Sequence, residues 1–230
     1  MNETARRIDS IRDRIRQAAA RSGRNPGEIA IVAVTKTVTV DRILPAINAG
    51  IRLLGENYIQ EAMEKIGSLP DQLVAWHFIG HLQSKKVKYA VRHFDLIHSV
   101  DSLKLAREID KEAAKAGKVQ RILIQVNIAE EATKSGISAD DTLELVREAG
   151  RCEHLQIEGL MTMPPFFDDP ARARPFFRAL SELKDRVQAA GIPNVIMKEL
   201  SMGMTGDLEA AVEEGATMVR IGTAIFGERL

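Results

Sequence analysis

The sequence predicts a (β/α)8 barrel of the TIM type with an extra helix at its N-terminus, and three observations predict it. Eight short apolar runs alternate with helical patterns along the 230 residues, and strands separated by helices pair in parallel. Eight is the number of βα units that closes a barrel, and roughly 200 residues accommodate that fold without insertions. No Gly-x-Gly-x-x-Gly follows the first run, where an open doubly wound sheet carrying a dinucleotide would need it. No Pro- or Ser-rich linker and no shift in composition divides the chain, so residues 1–230 read as one domain.

The elements follow in order. Residues 5–24 are arginine-rich, as a transit peptide would be, but Glu3, Asp9 and Asp13 interrupt the charge. Ile8, Ile11 and Ile15 fall at helical spacing, so residues 1–24 are assigned to an amphipathic helix packed over one end of the core. The run 29–34 is β-branched and continuous, which is the pattern of a strand buried on both faces. Helix 40–49 stops at Gly50 and carries Pro45, which is expected to distort its first turns. Strand 51–54, helix 60–66, strand 73–79 and helix 84–91 continue the alternation, followed by strand 96–100 and by helix 103–116, closed by Gly117. Strand 119–126, helix 140–149, strand 155–161 and helix 170–190, closed by Gly191, come next. Strand 198–202 rests on the rhythm alone, since Lys198-Glu199-Leu200-Ser201 has little β character. Helix 206–214, closed by Gly215, and strand 217–221 complete the eight units.

Composition removes several function classes. Thirty-two basic and thirty-two acidic residues cancel, whereas a nucleic-acid binder carries a basic excess. Cys152 is the single cysteine, so no intramolecular disulfide forms and a reducing, cytoplasmic setting is expected. No apolar stretch is long enough to span a membrane. A closed barrel has no free strand edge, which makes a monomer the default expectation. The histidines at 77, 81, 93, 98 and 154 have no metal-ligand spacing.

In such a barrel the site forms at the C-terminal strand ends. Lys36 follows the first strand, and a lysine with its stem in a core and its amine at the mouth can attack a carbonyl. A strand-end lysine is more often simply solvated, so Lys36 gains weight only from its neighbours. The second strand ends at Glu56-Asn57 and the fifth at Asn127. The seventh ends at Ser201-Met202-Gly203, and the eighth at Arg220 with Gly222-Thr223. Loops after strands seven and eight commonly hold a phosphate through backbone amides and hydroxyls. Arg220 stands between Val219 and Ile221 and is expected to point into the barrel mouth, where a buried guanidinium needs an acceptor. Glu199 or Glu56 could supply one, or a ring nitrogen of a bound cofactor could. A lysine amine, a phosphate cradle and a cation facing a ring nitrogen together describe pyridoxal 5′-phosphate (PLP), whose aldehyde would form a Schiff base with Lys36. His77 is expected to be a hydrogen-bonded core residue, Lys134 a solvated loop lysine able to approach the site or a second ligand, and Cys152 inert.

The same residues carry a resemblance. Ala33-Val34-Thr35-Lys36, Gly55-Glu56-Asn57-Tyr58, residues 76–83, Leu200-Ser201-Met202-Gly203-Met204 and residues 218–227 resemble the signatures of the pyridoxal phosphate homeostasis proteins, in order and over essentially the whole chain. That family is similar to the N-terminal barrel of alanine racemase. The resemblance implies that Lys36 is the Schiff-base lysine and that Asn57 lies beside PLP. It further implies that Ser201, Gly222 and Thr223 hold the phosphate, with Met202 among the binding residues, while Arg220 faces the pyridine nitrogen.

Two functions follow from this: an amino-acid racemase, or a protein of vitamin B6 homeostasis that holds, buffers or delivers PLP to apo-enzymes. Racemisation needs acid–base groups on both faces of the bound amino acid. Lys36 serves one; neither Tyr58 nor Tyr89 is expected opposite it, and the chain ends at Leu230 without a second domain to supply another. Arginine can only donate to the ring nitrogen, which stays neutral and is a weaker electron sink. The carrier is therefore the expectation and weak racemase activity the alternative.

Overall fold

The computed structural model of the protein describes residues 2–69, 73–131 and 134–228. Its eight described strands close into a parallel barrel in sequence order, with β8 pairing back onto β1. The strands are β1 (Ala30–Val34), β2 (Leu53–Glu56), β3 (Ala75–Phe78), β4 (Leu96–Val100), β5 (Gln120–Gln125), β6 (Leu155–Met161), β7 (Val195–Ser201) and β8 (Met218–Ile221). Outside them lie α2 (Val40–Asn48), α3 (Ile59–Ser68), α4 (Val87–His93), α5 (Leu103–Lys115), α6 (Ala139–Ala149), α7 (Arg174–Ala189), α8 (Leu208–Glu213) and a four-residue α9 (Thr223–Phe226). The N-terminal helix α1 runs over Glu3–Arg21, three residues short of the expected end at 24. Its buried Ile8, Ile11 and Ile15 face the molecule as the helical spacing requires. It packs against α8, α9 and α2, on the flank where β8 meets β1. Among the described residues no helix is long and apolar enough to cross a membrane.

Two strand boundaries differ from expectation for a tertiary reason. The second strand runs two residues further, because Gly55 and Glu56 pair with His77 and Phe78. The seventh starts three residues earlier, at Val195, which pairs with Ile157. At Gly159 the register between these strands shifts, and a Cβ there would lie 1.9 Å from the Glu199 carbonyl oxygen, so only glycine admits this approach. The short α9 has no counterpart in the expected elements. Pro45 sits inside α2 without ending it.

The alternation of strand side chains divides the core in two. The outer-facing set, including Ala33, Leu54, Ile97, Ile122, Val219 and Ile221, packs against the helices. The inner set is Val32, Leu96, Leu123, Met161 and Met218, flanked by Ala30 and Leu53. Two residues further along β4 and β8 the interior turns polar, with His98 and Arg220 both buried. Two residues before Leu123, Arg121 reaches Glu158 at 2.7 Å, and Lys198 reaches the same carboxylate at 3.2 Å. An apolar layer thus separates an ionic N-terminal end from a polar C-terminal end.

Candidate active-site mouth

After Val34 the chain enters a tight turn closed by the Val38 amide donating to the Thr35 carbonyl at 2.9 Å. Thr35 is fully buried, Lys36 half-buried and Thr37 left-handed, with φ of 61°. Lys36 therefore sits on the turn just past the strand rather than at its last rung. Its Nζ lies 6.0 Å from the centroid of the Tyr58 ring, within cation–π range. Asn57, half-buried at the end of β2, packs so tightly on the loop after β3 that a Cβ at Gly80 would lie 2.2 Å from its carbonyl oxygen.

Arg220 does point inward, and it meets neither Glu56 nor Glu199. Glu56 is wholly buried and pairs with Lys65 at 2.6 Å, while Glu199 accepts from the Thr217 hydroxyl at 2.6 Å. Arg220 instead donates to Ser201 Oγ at 2.7 Å and to the Thr162 carbonyl at 2.9 Å. Among the described residues it has no ion pair, and burial pulls its pKa down to about 10, against the attraction of Asp207. It remains a cation at neutral pH, with N–H donors unused by these two bonds.

Ser201 links Arg220 to two histidines, of which the sequence placed only His77 in the core. His98 Nδ1 is 2.9 Å from Ser201 Oγ, and His98 Nε2 is 3.0 Å from His77 Nδ1. Burial above all holds both rings neutral: it lowers His77 to about 4, and His98 well below its ordinary range. Ser201 already accepts from Arg220, and a buried hydroxyl proton without an acceptor is costly. It therefore donates to His98 Nδ1; His98 carries its own proton on Nε2 and donates to His77. The chain runs one way, from the cation into neutral acceptors, and each bond polarises the next.

Beside Arg220 opens a cavity of about 500 Å³ whose wall includes Val34, Lys134, Phe167, Asp207, Gly222 and Thr223. That is the size of a small-ligand site, ~300–1,000 Å³. Lys134 thus reaches the site's wall, its amine 3.1 Å from Glu131; Thr133 beside it lies outside the described residues. A second hollow of about 290 Å³ shares Val34, Gly222 and Thr223 with Thr37 and Thr39. Met202 turns its side chain into the outer core, leaving only its main chain near the mouth. Asp207 accepts from the Met204 amide at 2.6 Å, and its pKa is raised by burial, against Met204 and Arg220.

Fold and mouth define a class, the (β/α)8 barrel with a lysine after the first strand and a buried arginine in the last. The family described as alanine racemase, N-terminal domain, matches residues 7–230. The pyridoxal phosphate homeostasis protein of Aquifex aeolicus is 43% identical over 97% of each chain, and that of Escherichia coli K12 is 40% identical over 100% of this chain and 98% of its own. PipY of Synechococcus elongatus, solved with PLP bound, superposes with a TM-score of 0.85 at 34% identity, covering 98% of this chain and 100% of PipY. An alanine racemase of Clostridium difficile shares the fold at 14% identity and a TM-score of 0.73, over 96% of this chain and 55% of its own. The chain belongs to the pyridoxal phosphate homeostasis protein family.

Proposed function

We propose that the protein binds pyridoxal 5′-phosphate at the C-terminal mouth of its barrel and holds, buffers or delivers it, without a dedicated catalytic reaction. The observation that carries this reading is Arg220, a buried cation with free donors and no carboxylate partner among the described residues, beside a cavity of about 500 Å³. A heteroaromatic nitrogen answers such a donor, and the residues around it fit the rest of the group. The relatives' name and the PLP in PipY support the same ligand.

When bound, PLP supplies an aldehyde that condenses reversibly with an amine, releasing water. The chain's own part is binding. Lys36 offers the amine, with Tyr58 against it and Asn57 at the neighbouring strand end. Gly222 and Thr223 give the phosphate a small residue and a hydroxyl on the cavity wall. Arg220 donates to the ring nitrogen, and Ser201 braces it from beneath. Met202 contributes its main chain.

Two features favour a carrier over a racemase. A guanidinium donates and leaves the ring nitrogen neutral, which weakens carbanion chemistry. Tyr58 stands beside Lys36 rather than across from it, and Tyr89 lies on α4 beside Lys88. Recipients of delivered PLP are apo-enzymes that use it, and barrel closure supports a monomer.

The test is the absorption spectrum of wild type and Lys36→Ala after PLP addition and gel filtration. A retained band in wild type, fixed on Lys36 by borohydride and missing from the variant, supports the reading; no retained band in wild type overturns it. Chiral analysis after adding L-alanine separates carrier from racemase, since steady formation of D-alanine overturns the non-catalytic part.

A further inference from the structure

Behind the turn that carries Lys36 lies a buried ionic cluster which PLP binding does not itself require. Lys65, on α3, is 6% exposed, and its Nζ donates at 2.6 Å to each of three acceptors: the Thr35 carbonyl, Glu56 Oε1 and Glu61 Oε1. Those three bonds use all the protons of an ammonium. Thr35 also donates its hydroxyl to Glu56 at 2.6 Å, and Glu61 accepts the Thr37 amide at 2.5 Å. The cluster therefore grips the residue before Lys36 by its carbonyl and hydroxyl, and the residue after it by its amide. Between them the Lys36 side chain is left without a hydrogen-bond or ion-pair partner among the described residues, its amine facing the Tyr58 ring at 6.0 Å. The main chain is fixed on both sides while the amine stays available, which is how a nucleophile is preorganised.

We infer that Lys65 and Glu61 are positioning residues for Lys36, holding the turn at Thr35 and Thr37 so that its amine is presented to an aldehyde. This rests on the proposed role of Lys36, and it makes a demand that mere stabilisation does not: the reactivity of one lysine should change out of proportion to the stability of the fold.

The test is reductive methylation of the ligand-free protein with formaldehyde and cyanoborohydride, read lysine by lysine by mass spectrometry. Exposed Lys104 serves as the internal reference. Lys65→Met would leave two carboxylates facing each other, so the variant used is Glu61→Ala, which keeps the Lys65–Glu56 pair and frees the Thr37 amide and one Lys65 N–H. Glu61→Ala should keep a near-native melting temperature while Lys36 labels about tenfold more slowly relative to Lys104. Glu61→Gln, whose amide oxygen still accepts from Thr37, should restore most of the rate. Unchanged Lys36 labelling in folded Glu61→Ala overturns the inference. If wild type retains no PLP while Lys36 labelling still depends on Glu61, the positioning stands and the ligand reading falls.

Discussion

Arg220 keeps a full positive charge in the barrel interior because its partners are polarisable neutral groups, and that choice has measurable consequences. Lysine at this position is a point charge that cannot reach Ser201 Oγ and the Thr162 carbonyl and still present a planar donor to a ring. Arg220→Lys should therefore weaken PLP binding about ten- to a hundredfold in a fluorescence titration, ~1.5–3 kcal/mol; unchanged affinity would remove Arg220 from the site. The histidines beneath it titrate in a predictable sense. Burial, with Arg121 adding to it, lowers His77 from 6.5 to about 4. The unfolded chain takes up that proton below pH 6.5 and the folded chain only near pH 4, so stability is full above 6.5 and falls as the pH drops through this window. The loss is about 3 kcal/mol from His77 alone, and His98 adds to it with the same sign. Denaturant unfolding of wild type and His77→Leu across that range should show a flatter pH dependence in the variant; equal slopes would mean that His77 is not held neutral. Alternation with Val219 and Ile221 made the inward direction of Arg220 legible. Its partners Ser201 and Thr162, and His98 behind them, were not legible, because they stand on β7, just past β6 and on β4. Glu61 and Lys65, four residues apart, have the sequence pattern of an ordinary exposed helix pair, and only the fold turns that pair inward.

At the level of elements, the junction between β6 and β7 explains both a strand that was hard to read and a glycine that cannot change. Lys198-Glu199-Leu200-Ser201 has little intrinsic strand preference, and its extension back to Val195 comes from pairing with β6 rather than from its own side chains. Lys198 is spent on Glu158, and Glu199 on Thr217, so charged residues occupy a strand without being buried unpaired. Gly159→Ala would drive a Cβ into the Glu199 carbonyl, and strands must separate to admit it. The unfolding free energy should fall by at least about 2 kcal/mol. PLP binding should weaken with it, since Ser201 is two residues beyond Glu199 on the displaced strand. A variant within experimental error of wild type in calorimetry would contradict the close approach. The other strands were legible because each carries its own apolar run. The extension of β2 was not, since Gly55 and Glu56 join the ladder only because β3 lies beside them.

For the whole molecule, the decisive geometry is that the proposed ligand straddles the seam at which the barrel closes. Lys36 follows β1, while Arg220 and then Gly222 and Thr223 belong to β8 and its loop. The β1–β8 ladder pairs Ala30 through Ala33 with Met218 through Ile221. On its other side β8 shares one register pair with β7, Ser201 with Met218, and the ladder is carried by the Thr217 amide donating to the Leu200 carbonyl at 3.0 Å, the Met202 amide to the Met218 carbonyl at 3.1 Å and the Arg220 amide to the Gly203 carbonyl at 3.0 Å. Parting of β1 from β8 at this seam is a local opening of the kind that amide exchange reports. A ligand joined to β1 through Lys36 and to β8 through Arg220 must be released, or lose half its contacts, before β8 can part from β1. At PLP concentrations about a hundredfold above its dissociation constant, binding should add ~2.7 kcal/mol against any opening that breaks the site. Exchange at Ile31, Ala33, Val219 and Ile221 should therefore slow about a hundredfold, whereas amides of β4 and β5, on the far side of the barrel, should slow only to the extent that they exchange by global unfolding. In Lys36→Ala the protection at the seam should largely disappear even where phosphate contacts still hold some PLP. Uniform slowing of all eight strands would mean that the seam opens only with global unfolding, and unchanged exchange at β1 and β8 in a protein carrying PLP on Lys36 would mean that the ligand does not bridge them.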